Sequence, residues 1–246
     1  MFDRPSRRTV LTVAVTVVIS VFLDLALGAI SIVRTDGGGR WQATETVPLP
    51  NPSTDGNLSV AAAIEARRSR RSFGEDPLTR AELGQLLWSM QGITQRPTGH
   101  RAAPSAGALF PLELYVVVGD PGVEGLPSGV YRYRPSNHEL RRGSTGNVQP
   151  ALQRASVDQE HVGAGAIDVV VCAVDERTTG KYGRRGERRY VPMEAGHTGQ
   201  NLYLQAESLG LSTVAVGAFA DDRVRDLVVA PADQRPLYVF PVGRRA

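Results

Sequence analysis

Three kinds of hydrophobic run follow one another along the chain, and each predicts a different element. From Val10 to Leu23 the residues are apolar apart from Thr12, Thr16 and Ser20, and after Asp24 the run resumes from Leu25 to Val33. Later runs carry helical spacing: Leu83, Leu86, Leu87 and Met90 recur on one face after Thr79 and Glu82, a capping-box pair that predicts where the helix starts. Ser59 caps a shorter helix over 61–66, a long helix over about 193–209 stops at Gly210, and a short one lies near 223–228. The third kind is a compact apolar run bounded by turn residues, predicting strands at 112–118, 166–174, 212–217 and 237–242. A hairpin of 130–133 and 139–141 turns at Pro135-Ser136-Asn137. Helices and hairpin strands mixed in this way predict an α+β domain without internal repeats.

The first run reads as an address. It is long enough to cross a bilayer core of about 30 Å, although Asp24 held at the centre would cost about 2.5 to 3.5 kcal/mol. Arg4, Arg7 and Arg8 precede it, which orients the N-terminus toward the cytoplasm and the remainder outward. Ser6-Arg7-Arg8-Thr9-Val10-Leu11 resembles a twin-arginine export signal, with valine where an aromatic is usual. Residues 1–34 are therefore expected to be an export signal or membrane anchor, and the Gly/Pro-rich stretch 35–52 a linker. That leaves 53–246 as the folded domain.

Composition narrows the chemistry. Of 246 residues 41% are hydrophobic and 22% charged, an ordinary globular balance, and the net charge is only +3. Arginine supplies the excess in two clusters, at 67–71 and 184–189, which favours local anion sites over the continuous basic face that nucleic acid requires. No nucleic-acid partner is expected. Cys172, the single cysteine, sits inside an apolar run and reads as an inert buried thiol. His100, His138, His161 and His197 lack metal-ligand spacing, so no metal is expected. Gly163-Ala164-Gly165 precedes its strand instead of following it, which excludes a dinucleotide-binding turn.

Candidate chemistry concentrates in four segments. Arg67-Arg68-Ser69-Arg70-Arg71-Ser72-Phe73 brings four guanidinium groups into five residues. Such a run is either a solvated basic face or a seat for a doubly charged anion, since crowded guanidinium groups repel without a counter-ion. Pro104-Ser105-Ala106-Gly107-Ala108 is either a plain turn or a place where backbone approaches a flat ring closely. Lys181-Tyr182, in what reads as a glycine-bounded loop over 179–183, is either exposed surface or a base with a phenol that relays the proton. Glu194, His197 and Asn201 share one helical face, where they either satisfy nearby backbone or touch a ligand.

These segments, with Gly129-Val130-Tyr131-Arg132-Tyr133, Glu194-Ala195-Gly196-His197, Gln200-Asn201 and the closing Pro241-Val242-Gly243-Arg244, resemble in this order the nitroreductase superfamily, and within it the SagB/ThcOx-type branch that includes azoline dehydrogenases. The resemblance covers about residues 45 to 245. It implies a nitroreductase-like α+β fold, with a central mostly antiparallel sheet flanked by helices, and a homodimer. It also implies an FMN-dependent oxidoreductase that moves a hydride to or from flavin N5. Carried over residue by residue, it places Arg67, Arg68, Ser69, Arg71 and Arg244 around the FMN phosphate and ribityl chain. Pro104, Ser105, Ala106 and Gly107 would line the isoalloxazine, often from the neighbouring subunit, and Gly217 and Ala218 would lie on its other side. Lys181 and Tyr182 match the catalytic Lys-Tyr pair of azoline dehydrogenases. The implied substrate is a small or peptide-borne heterocycle. An NAD(P)H-dependent nitro or quinone reductase and a flavin-binding module without turnover stand as alternatives, as does a membrane-tethered basic protein with no cofactor. Export of folded cargo suits a protein loaded with its cofactor in the cytoplasm.

Overall fold

The computed structural model describes residues 44–246. The expected export or anchor segment, and the linker up to residue 43, lie outside the described residues. Among the described residues no helix is long and apolar enough to cross a membrane. The elements in chain order are β1 (Glu45–Pro48), α1 (Val60–Ala66), β2 (Phe73–Gly74), α2 (Arg80–Gln91), β3 (Ile93–Gln95), β4 (His100–Arg101), β5 (Leu112–Val118), β6 (Gly129–Arg134), β7 (Glu139–Thr145), α3 (Gln149–Ala155), β8 (Ile167–Ala173), α4 (Glu176–Tyr182), α5 (Val191–Ser208), β9 (Leu211–Thr213), α6 (Asp221–Leu227) and β10 (Arg235–Arg245). A 3-10 turn at Ala106–Ala108 and a π turn at Gly186–Tyr190 complete the path.

The main sheet runs β1-β7-β6-β5-β8-β10-β2, with β9 beside β10, and its strand pairs are antiparallel. Strands β5 and β8 lie at its centre and are buried along their whole length, which is why they read as unbroken apolar runs. Their side chains alternate between two cores. Leu112, Leu114, Val116, Ile167, Val169 and Val171 pack on the face covered by α2 and α5. Tyr115, Val117, Val170 and Cys172 pack on the other face, with Leu152 of α3 and Val224 of α6. Burial pushes the Cys172 thiol far up, so it is inert there.

Local signals acted as expected where they were strong. Thr79 and Glu82 form the capping box: Thr79 Oγ1 accepts from the Glu82 N–H at 3.2 Å and Glu82 Oε2 accepts from the Thr79 N–H at 2.7 Å. Leu83, Leu86, Leu87 and Met90 are fully buried. Ser59 caps α1 by accepting from Ala62 N–H.

Four features depart from the sequence reading. Residues 45–48, expected in a linker, form an edge strand on β7, with Val47 and Leu49 buried; at an edge, Pro48 and Pro50 leave no ladder bond unmade. The strand expected at 212–217 ends at Thr213 and continues only as a bridge between Val216 and Val239. The segment α3 escaped notice because seven residues hold too few turns to show a period. Lys181 and Tyr182 lie on helix α4, not in a loop. Gly180 and the threonines at 178 and 179 disfavour helix locally, but tertiary contacts override them. Thr178 is buried, and Gly186 passes so close beneath it that a Cβ there would stand 2.8 Å from Thr178 Cγ2.

Candidate functional site

The arginine run leaves α1 at residue 67 and crosses the C-terminal end of α5. Arg70 donates to the buried Glu207, which also accepts from Arg245 at 2.7 Å and from the Arg68 backbone N–H at 3.4 Å. Glu207 is thus the counter-charge for Arg70, and part of the crowding needs no external anion. Arg67 stacks over the Tyr203 ring at 5.2 Å. Arg68 donates to the carbonyls of Glu65 and Arg67, and both Arg68 and Arg71 are exposed. Among the described residues, Arg67, Arg68 and Arg71 have no acidic partner within ion-pair distance. Ser69 Oγ meets the Tyr203 hydroxyl at 3.0 Å, and that hydroxyl accepts from the Ala215 N–H at 2.8 Å. Tyr203 therefore joins the arginine run to the segment that leads to Gly217.

Arg244, expected to close this cluster, faces elsewhere. Its guanidinium grips Glu82 at the start of α2, with Nη2 to Oε2 at 2.9 Å, and the Pro77 carbonyl at 2.8 Å. Burial works against the Glu82 charge, but Arg244 and Thr79 outweigh it and hold the carboxyl below the usual range. Neighbouring strand residues point to opposite faces, so it is Arg245 that reaches Glu207, the carboxylate that Arg70 also holds.

Gly217 and Ala218 are exposed, and a Cβ on Gly217 would meet nothing within 4 Å. The Ala218 carbonyl accepts from Gln159 Nε2 at 3.0 Å. His161, two residues on, is held below the usual histidine range by partial burial and then by the nearby Arg71 charge. Arg71 and Ala218 thus share the 159–161 segment as a neighbour.

The Pro104–Gly107 segment forms a second centre. Gly107, Ala108 and Phe110 have φ of 64°, 54° and 46°, three left-handed residues within four, a strained loop of the sort that persists only where its surroundings hold it. Ser105 Oγ accepts from the Phe110 N–H at 2.9 Å and closes the turn. Helix α4 is anchored to it: Arg177 donates to the Phe110 carbonyl at 2.9 Å, and Asp175, just before the helix, takes a two-pronged bond from Arg235 at 2.9 Å for each prong. The result brings Lys181 and Tyr182 onto Gly107. A Cβ at Gly107 would lie 2.8 Å from Tyr182 Oη and 3.1 Å from Lys181 Nζ. Lys181 is exposed, with its ammonium 5.4 Å from the Tyr182 ring, and Tyr182 packs edge-on to Tyr190 at 5.0 Å.

Beside this loop a pocket of about 240 Å³ is lined by Pro104, Ser105, Ala106, Tyr190, Met193, Glu194 and His197. Of the three polar residues on that face of α5, Asn201 serves backbone, donating to the Ser89 carbonyl at 2.9 Å, and His197 is exposed at the pocket. Glu194 is buried, and burial lifts its carboxyl to about 7 against the pull of Ser105, Arg101 and Gln91. Tyr203, Glu207, Arg177 and Arg101 were not singled out from sequence. The one available signal was Glu207, a charge one turn after Tyr203 on the buried face of α5.

The two centres occupy opposite ends of α5. Glu194 and Glu207 are thirteen residues apart, about 20 Å along the axis.

A Nitroreductase family model matches residues 64–244. A protein of Methanocaldococcus jannaschii that carries the nitroreductase name is 44% identical over 201 residues, covering 82% of this chain and 98% of its own. The Microcin B17-processing protein McbC of Escherichia coli is 32% identical over 184 residues, covering 72% and 67%. Among solved structures, a Ralstonia eutropha protein described as a nitroreductase superposes with a TM-score of 0.70 at 25% identity, covering 89% of this chain and 99% of that one. On a match that spans most of the domain, and on these relatives, the chain belongs to the nitroreductase family of oxidoreductases, on its SagB-type branch.

Proposed function

We propose that this protein is an FMN-dependent oxidoreductase that dehydrogenates a heterocycle, small or carried on a peptide. One observation carries the reading: Lys181-Tyr182 and Gly107, more than seventy residues apart in sequence, lie so close that a Cβ at Gly107 would stand 2.8 Å from Tyr182 Oη and 3.1 Å from Lys181 Nζ. The donor set suits the cofactor. Arg67, Arg68 and Arg71 lack acidic partners among the described residues and, with the Ser69 hydroxyl, would hold a phosphate and ribityl chain. Pro104 to Gly107 on one side, and Gly217 with Ala218 on the other, would cover the ring, because small side chains let backbone come near it. The flavin, when bound, supplies two-electron acceptance and release. Lys181 Nζ and Tyr182 Oη would hold or pass the proton that accompanies those electrons. The two centres lie about 20 Å apart on one helix, so a second copy of the chain is proposed to complete each site, with Pro104 to Gly107 of one subunit facing the arginine run of the other. Residues 1–34 would carry the protein to or across the membrane.

The microcin-processing relative supports the peptide-borne substrate. The more similar nitroreductase-named relative supports a second reading, reduction of a nitro or quinone acceptor by NAD(P)H. Both predict yellow protein. The test is the absorbance spectrum of the full chain reconstituted with FMN, followed by anaerobic mixing with NAD(P)H, with dithionite and with candidate heterocycles. Bleaching by NAD(P)H selects the reductase, and bleaching by a heterocycle selects the dehydrogenase. Bleaching by dithionite alone selects a module without turnover, and colourless protein ends the flavin reading. Lys181→Ala is expected to slow turnover by roughly a hundredfold while flavin stays bound.

A further inference from the structure

Glu113 stands on the central strand β5, is 8% exposed, and shares its carboxylate between two arginines. Its Oε2 accepts from Arg132 of the neighbouring strand β6, from Nε at 3.2 Å and Nη2 at 3.0 Å. Its Oε1 accepts from Arg177 Nη2 of helix α4 at 2.5 Å. The other prong of that same guanidinium, Nη1, is the one that donates to the Phe110 carbonyl. Arg177 therefore links the sheet to the loop that contains Gly107, while standing on the helix that carries Lys181 and Tyr182. The Asp175–Arg235 pair ties the start of α4 to strand β10 instead.

We propose that Glu113 is a positioning residue for this centre: its carboxylate fixes the Arg177 fork, and the fork sets the distance between Gly107 and the Lys181-Tyr182 pair. The Arg177 side chain is 38% exposed, and one bond to a neutral carbonyl does not offset the rotamer freedom lost in ordering so long a chain. A charge-assisted bond to a carboxylate that cannot turn, because Arg132 grips its other oxygen, does. The fork in turn holds the carbonyl of Phe110, whose φ of 46° persists only while its surroundings constrain it; Ser105 takes the Phe110 N–H and Arg101 covers its ring. Lys181 lies one turn after Arg177 on a helix of seven residues, so a tilt at Arg177 is passed directly to the pair. The role rests on the reading above, in which Lys181 and Tyr182 handle a proton beside a ring covered by residues 104–107. Misplacement by about 1 Å in such a centre costs about a hundredfold in rate.

The test uses the full chain with 3-fluorotyrosine in place of Tyr182 alone, read by fluorine NMR. Glu113→Gln, which keeps the shape and removes the charge, should shift or broaden that resonance, and Arg177→Gln should do the same. The double variant should show no more change than either single one, because both act through one link. Glu207→Gln, which removes an ion-paired carboxylate at the far end of α5, controls for lost stability and should leave the resonance in place. With FMN bound and a substrate turning over, Glu113→Gln should lower kcat roughly tenfold and leave KM within about twofold of wild type. The proposal is overturned if Glu113→Gln leaves the Tyr182 resonance unmoved, if its effect and that of Arg177→Gln add, if Glu207→Gln moves the resonance equally, or if kcat is untouched. Should Glu113→Gln fail to fold, Arg177→Gln decides, because its partly exposed side chain is replaced with less disruption; an unmoved resonance there ends the proposal. The fluorine readout needs no flavin. Colourless protein would end the flavin reading and leave the placement by Glu113 to be decided at Tyr182.

Discussion

Helix α5 buries one glutamate near each end, and the two are treated in opposite ways. Glu207 is clamped by Arg70 and Arg245 and receives the Arg68 N–H, so its charge is neutralised by residues of its own chain. Glu194 has Arg101 within electrostatic reach but no ion pair, and one of its oxygens is unpartnered. The first carboxylate locks the arginine run, the strand β10 and the helix into a fixed arrangement, as a structural ion pair does. The second is held in a state that costs stability, and such a cost persists where a site needs the group available. Burial alone therefore does not separate a structural acid from a chemical one; the partners do.

The difference can be broken at each end. The largest effect is expected from Glu207→Gln, which leaves Arg70 and Arg245 without their counter-charge. Because Arg245 is 43% exposed, the loss should fall below that of a fully buried pair, at about 2 kcal/mol by urea unfolding. An unchanged midpoint would show that the clamp contributes nothing. Gly107→Ala acts at the other end, through a left-handed φ of 64° and a contact with Tyr182 Oη. It should destabilise by about 1 kcal/mol and displace Tyr182, visible as a change in tyrosine fluorescence or ring NMR shifts. A silent Gly107→Ala would mean that Lys181 and Tyr182 are not seated on this loop.

The smallest effect sharpens the contrast by pH. Burial raises Glu194 from its ordinary value to about 7 in the folded chain, so between about pH 4.5 and 7 the unfolded chain has released a proton that the folded chain still holds. Stability is then greatest below this window and falls as pH rises through it, by up to about 1.4 kcal/mol per pH unit. Asp168, buried and raised to about 6, acts in the same direction over the lower part of the window. Urea midpoints measured from pH 4 to 8 should show the decline, and Glu194→Gln should flatten it above pH 6, leaving the Asp168 portion. A slope unchanged by Glu194→Gln would remove the distinction between the two acids.

Much of this architecture was legible before any coordinates. Strand β5 and the capping box of α2 carry their signals within a few residues, so local rules suffice for them. Strand β1 was read as linker because its prolines outweighed two alternating apolar residues, and only the presence of β7 alongside makes it a strand. Arg244 and Arg245 differ by one position in sequence. Which of them serves the arginine run depends on the pleat of β10 and on Glu82, a residue contributed from 162 positions away.

What the order of residues determined, then, is everything that acts over one turn or one pleat: caps, apolar periods, the crowding of arginines, the small residues of the 104–108 loop. The meeting of Lys181 with Gly107, the split of two glutamates into a paired and an unpaired acid, and the choice of Arg245 over Arg244 were decided only by tertiary structure. Each depends on which distant groups remain free once the core has packed, and pairing at such range leaves no pattern in the local chain.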